Sequence, residues 1–145
     1  ELSEWMNAGG LAETVGFGKG GTLNLGGAKV TMVNAVHSAS IDFGAKGLLP
    51  AGDAAGFMIA GEGHTIYVSG DTDIMADMAW MAEYHQPDIG ILSCGGHYTM
   101  DMDRAAWAAR KWFNFRWVIA ATPGTLASIA RGRLVGELPQ PELLA

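Results

Sequence analysis

Apolar and polar residues alternate with a period of two over Thr22-Leu23-Asn24-Leu25, which predicts a half-buried strand. Gly26-Gly27 supplies a hairpin turn, and residues 29–36 return as a second strand. The centre of that return, Val30-Thr31-Met32-Val33, is apolar on both faces, as a strand sandwiched between layers must be. Residues 55–60 and 65–69 predict another hairpin across Gly61-Glu62-Gly63-His64, with His64 a solvated turn residue. Residues 41–53 between the hairpins read as a glycine-containing loop, long enough for a rim or lid.

The period then changes. Ile74, Met78 and Met81 follow the i, i+4, i+7 spacing of a buried helical stripe, predicting a helix over 73–84 that ends at His85-Gln86-Pro87. Residues 88–92 form a short apolar strand. Asp101 caps a second helix over 102–113, alanine-rich on its inner face with Trp107 or Trp112, and 117–120 make a further strand. Residues 1–8 read as the end of a helix stopped by Gly9-Gly10. Past Thr122 the pattern weakens: 122–125 read as a turn, 126–130 as one helical turn, and the rest is punctuated by proline. The order is hairpins first, then strand-helix-strand-helix-strand. That is an α/β chain in one domain, 1–145, with a divergent tail over 122–145.

Composition narrows the field of functions. The chain is 49% hydrophobic and 17% charged, enough apolar material for a core. Its net charge of −6, with no basic run, argues against a nucleic-acid surface as the main partner. No apolar run approaches the length of a membrane span, and no signal peptide is recognisable. The lone Cys94 excludes an internal disulfide and fits a reducing, cytoplasmic compartment. The eight methionines read as flexible core filler. The loop carrying Gly16, Gly18, Gly20 and Gly21 has the look of a phosphate cradle, yet it lacks the GxxxxGK[ST] pattern and no clear helix follows it. The sequence opens on Glu1 rather than methionine, so its natural start is expected elsewhere.

Chemistry gathers where strands stop. Thr65-Ile66-Tyr67-Val68 runs into Gly70, which turns the chain and delivers Asp71; Thr72 or Asp73 is expected to cap the following helix. A carboxylate at such a mouth suits a metal ion or proton transfer, or it caps the helix and does no chemistry. His37 follows a strand among small residues, and His97 follows another through Gly95-Gly96. Clefts at strand ends are where layered α/β proteins place ligands.

These strand ends, taken in order, resemble the metallo-β-lactamase superfamily, and within it the metal-dependent hydrolases that include the phosphorylated-ascorbate lactonases. The matching text is Ala35-Val36-His37-Ser38, Ala55-Gly56-Phe57, Gly70-Asp71-Thr72, Asp77-Met78, Pro87-Asp88 and Gly95-Gly96-His97-Tyr98-Thr99-Met100, collinear over roughly residues 1–121. The resemblance implies an αββα sandwich, here incomplete on its N-terminal side, with a two-metal site at the sheet edge. It implies His37 as a ligand of the first metal and Asp71 as the carboxylate bridging both, the metal being zinc, with manganese the other candidate. Asp71 and His97 are then the catalytic candidates, His97 facing a small-molecule substrate. Metal-bound hydroxide would attack an ester, lactone or phosphodiester. The family's HxHxDH motif is absent from the chain, and the position of its late histidine is Thr122. Two carried-over ligands fall short of the three a catalytic zinc needs, with Cys94 and His97 as possible substitutes lining the same cleft. The expectation is therefore a hydrolase family member whose own chain lacks a complete metal site. The alternatives are a non-catalytic remnant, or an assembly module that pairs, for instance with a second copy, through an uncovered sheet face.

Overall fold

A computed structural model describes residues 2–42, 44–121 and 135–137. Helix α1 spans Leu2–Ala8 and none of its residues is buried. Strands β1 (Thr22–Leu25) and β2 (Ala28–Asn34) form the first hairpin, β5 (Ala55–Gly61) and β6 (His64–Val68) the second. The segment expected to be a plain loop between them holds a small hairpin, β3 (Ser40–Asp42) with β4 (Leu48–Pro50), joined through a 3-10 turn at Gly44–Lys46. Its three-residue strands are too short to show a period in the sequence. Then come α2 (Asp77–His85), β7 (Ile89–Ser93), α3 (Met102–Trp112), β8 (Trp117–Ala121) and β9 (Val135–Glu137).

Seven strands make one sheet in the order β1-β2-β5-β6-β7-β8-β9. Neighbours are antiparallel as far as β6; β6, β7 and β8 run parallel through crossovers that contain α2 and α3; β9 returns antiparallel. Register sorts the side chains by face. The row Thr31, Met58, Tyr67, Gly90, Val118 lies on one face, and Met58, Tyr67 and Val118 join the core with Met78 and Met81 of α2 and Ala105, Ala108 and Ala109 of α3. Gly90 has no side chain because the Phe115 ring occupies that space: an added Cβ would sit 2.8 Å from Phe115 Cε2. Five methionines, Met58, Met75, Met78, Met81 and Met100, are buried in this core, as filler would be.

The other face differs. Its rows are Val30, Ile59, Ile66, Ile89, Trp117 and Met32, Phe57, Val68, Ile91, Ile119, and every one of these side chains keeps part of its surface exposed. Phe17, from the glycine-rich loop, leans against Phe57 with ring centroids 6.2 Å apart. The sheet is thus strongly apolar on both faces but densely packed on one.

Two helix starts illustrate how local signals were resolved. Asp101 caps α3 as expected, its Oδ1 accepting the Arg104 amide at 2.8 Å. By contrast α2 begins at Asp77 rather than at 73, with no side-chain cap, and ends at Gln86 in a left-handed conformation before Pro87. Of the two tryptophans expected on α3, Trp112 packs against the core while Trp107 stays 46% exposed.

Candidate functional site

Because β2 and β6 are each antiparallel to β5, they point the same way, and β7 and β8 are parallel to β6. The carboxyl ends of β2, β6, β7 and β8 therefore share one edge of the sheet. The loops leaving that edge carry His37, Asp71, and Cys94 with His97. This is the edge at which open α/β sheets bind ligands.

Thr72 joins three of these loops. It is fully buried, and its hydroxyl oxygen accepts the Val36 amide at 2.9 Å while the hydroxyl donates to the Asp73 carbonyl at 2.7 Å. The Thr72 carbonyl accepts the Met100 amide at 3.0 Å, and the Val36 carbonyl accepts the Asp73 amide at 3.1 Å. The loop bearing His37, the turn bearing Asp71 and the segment after His97 are thus pinned to one threonine. The sequence offers Thr72 or Asp73 as a helix cap; the Val36 and Met100 partners of Thr72 lie on distant segments, and nothing local signals them. Beneath it, Ser69 is buried, its Oγ accepting the Ser93 amide at 2.9 Å and donating to the Gly70 carbonyl at 2.7 Å.

His37 is partly exposed, and Nδ1–H donates to the Ser38 carbonyl at 2.7 Å. A carbonyl accepts only, so in the neutral ring this bond places the proton on Nδ1 and the lone pair on Nε2, which has no partner among the described residues. Asp71 is exposed, and its carboxylate has no partner among the described residues. His97 is also exposed, its ring edge-on to Tyr98 at 4.4 Å. Cys94 is buried, and burial pushes its thiol above the ordinary value despite a backbone hydrogen bond from Ala121. It remains a protonated thiol at neutral pH.

His64 is exposed, as expected, but it opens β6 and is paired rather than free. Its Nδ1 lies 2.6 Å from Asp88 Oδ2, and Asp88 Oδ1 accepts the Thr65 amide at 2.8 Å. This pair sits at the opposite end of β6 from Asp71 and closes the hairpin onto the start of β7.

The residue types at the strand ends suit a divalent metal, but their number does not. Among the described residues no three His, Cys, Asp or Glu side chains converge to hold an ion, so Cys94 and His97 do not complete a set with His37 and Asp71. The position of the family's late histidine, Thr122, lies outside the described residues.

A mixed sheet with helices over its crossovers and a histidine–carboxylate edge defines an α/β fold of the metallo-β-lactamase type. A family model described as "Beta-lactamase superfamily domain" matches residues 2–119. The chain belongs to the metallo-β-lactamase superfamily. It is 64% identical over 130 residues to a protein of Paracoccus denitrificans named "UPF0173 metal-dependent hydrolase", covering 90% of this chain and 56% of that one. A protein of the same name from Dinoroseobacter shibae is 54% identical over 140 residues, covering 95% and 60%. Among solved structures, the metallo hydrolase Igni18 of Ignicoccus hospitalis superposes with a TM-score of 0.62 at 25% identity, over 90% of this chain and 58% of that one. The chain thus spans little more than half the length of these relatives.

Proposed function

We propose that this chain forms the substrate-facing edge of a metal-dependent hydrolase, with His37 and Asp71 as two of its metal ligands and His97 on the substrate side. The observation that carries this reading is the junction at Thr72 and Asp73, which ties the His37 and Asp71 loops to each other and to Met100 through three hydrogen bonds. Supporting it are the free Nε2 of His37, the unpartnered Asp71 carboxylate and the names borne by the relatives. Zinc suits this donor pair, with manganese second, and the reaction class is hydrolysis of an ester, lactone or phosphodiester of a small molecule. The cytoplasm is the compartment the lone thiol favours.

The chain alone is a poor catalyst, because two ligands do not hold a reactive zinc. A second reading, a non-catalytic half-sandwich, is favoured by that same shortfall and by the part-exposed apolar face. Titrating zinc and manganese into the isotopically labelled chain distinguishes the two. Weak binding that perturbs His37 and Asp71 together, and is lost in His37→Ala and in Asp71→Asn, is the expected result, with no ester hydrolysis above buffer. Perturbation elsewhere, or none, removes the metal-facing role; brisk hydrolysis by the purified chain removes the half-sandwich.

A further inference from the structure

A concavity lies away from the strand-end loops, on the face that carries α2. Its volume is about 720 Å³, and Lys19, Lys29, Thr31, Met58, Trp80 and Tyr84 are among its walls. Small-molecule sites occupy roughly 300–1,000 Å³. Of the strand-edge cluster it reaches only Asn34, at the end of β2, so its occupant need not touch the hydrolytic edge.

The walls differ in chemistry. On the strand side stand two ammonium groups. Lys29 makes no ion pair among the described residues, while Lys19 donates to Asn34 Oδ1 at 2.7 Å and lies 3.7 Å from Asp53. On the helix side stand Trp80 and Tyr84, 48% and 79% exposed, one turn apart on α2, with the His85 ring edge-on to Tyr84 at 4.9 Å. Burial lowers His85 below its ordinary value, so at neutral pH the positive charge of the cavity is that of the lysines. Met58 and the bonded hydroxyls of Thr22 and Thr31, 2.7 Å apart, also line it, and no aspartate or glutamate among the described residues does.

The glycine-rich loop acquires a role here. Two of its amides are already used, Gly20 N–H donating to Met32 O at 2.8 Å and Gly21 N–H to Gly18 O at 2.9 Å, and so are not available to cradle a phosphate. What it contributes is the ammonium of Lys19, held at the rim.

We propose that this cavity binds a small organic anion bearing an aromatic ring, the ring against Trp80 and Tyr84 and the charge between Lys19 and Lys29. Exposed rings opposite apolar and hydroxyl groups take up a flat body, and two ammonium groups with no carboxylate among the lining favour an anionic head. A nucleoside monophosphate and an aromatic carboxylate share this chemistry. The proposal stands independently of the hydrolase reading.

The test titrates AMP and indole-3-acetate into the labelled chain, with adenosine and indole-3-acetamide as neutral counterparts. Saturable shifts at the Lys29 and Thr31 amides and the Trp80 indole are expected, with a dissociation constant below about 1 mM for at least one anion. Its neutral counterpart should bind at least tenfold more weakly. A response to AMP alone identifies a phosphate-bearing ligand, to indole-3-acetate alone a carboxylate, and to both a site that reads only ring and charge. The double variant Lys19→Glu/Lys29→Glu should weaken binding at least tenfold with an unchanged circular-dichroism spectrum. Should that variant not fold, Tyr84→Ala, at a highly exposed position, carries the same expectation of weakened binding. Absent shifts, neutral counterparts that bind equally well, or folded variants of undiminished affinity would overturn the proposal.

Discussion

Gly70 turns the chain between β6 and Asp71 with φ +63°, and a side chain there would drive into the Ala55 carbonyl. Gly63 has an even more positive φ, +82°, but open space around it. Replacing each by alanine separates conformational strain from collision. Gly63→Ala should cost about 1–2 kcal/mol of stability, the left-handed penalty alone. Gly70→Ala should cost about 3 kcal/mol or more, because backbone must move as well. Equal urea midpoints for the two variants would contradict the collision. Tyr67 presents the reverse case: fully buried and stacked on Phe113 at 5.1 Å, it leaves its hydroxyl without a hydrogen-bond partner among the described residues. Burial also raises its pKa well above the ordinary value, so it stays neutral. Tyr67→Phe should therefore raise stability by about 1 kcal/mol in urea unfolding, and a loss would reveal an unrecognised partner. At this scale the sequence announced that Gly70, Asp71 and His37 follow strand ends, because a glycine and polar groups closing an apolar run mark where a strand leaves the core. It concealed Thr72, whose partners are 28 and 36 residues away along the chain.

At the scale of elements, the hairpins β1–β2 and β5–β6 and the helix α3 were legible, since alternation, paired glycines and a capping aspartate are local signals. The start of α2 was not: the stripe from Ile74 suggested a helix at 73, but the helix begins at Asp77, and residues 73–76 lead into it, tied to the Val36 carbonyl through the Asp73 amide. The β5–β6 hairpin is fastened to β7 by His64 and Asp88, a pairing that no spacing rule reveals. Burial pushes the Asp88 carboxyl up, but the hydrogen bond from His64, those from the backbone amides of Thr65 and Asp88, and the His64 charge together leave it below its ordinary value. A carboxyl depressed in the folded state lends stability above its unfolded pKa, about 4, and that stability disappears as pH falls through the folded value. Asp88→Asn should accordingly flatten the acid limb of the stability curve while changing its shape little above pH 6. Urea midpoints measured from pH 3 to 7 test this, and parallel curves for both proteins would assign the acid sensitivity elsewhere.

For the whole molecule, the sheet's two faces set the behaviour in solution. One face packs against α2 and α3; the other presents two rows of aliphatic and aromatic side chains, none of them buried. Unbroken apolar patches of this kind associate. Sedimentation of the isolated chain should give species heavier than 15.2 kDa, dissociating in Ile59→Lys/Ile91→Lys, whose two positions lie on this face. A monomer at every concentration would show that the face is covered. The layered class and the apolar character of both faces could be read from Val30-Thr31-Met32-Val33, but which face the helices cover could not, because the crossovers decide it.

Those crossovers have one more consequence. Both β6-α2-β7 and β7-α3-β8 are parallel units, so the contacts that hold the fold run through the sheet while His37, Asp71 and His97 hang from its rim. Exposed positions along the rim can change without disturbing the Met58–Tyr67–Met78 interior. A scaffold divided in this way lets its rim vary at small cost to foldability.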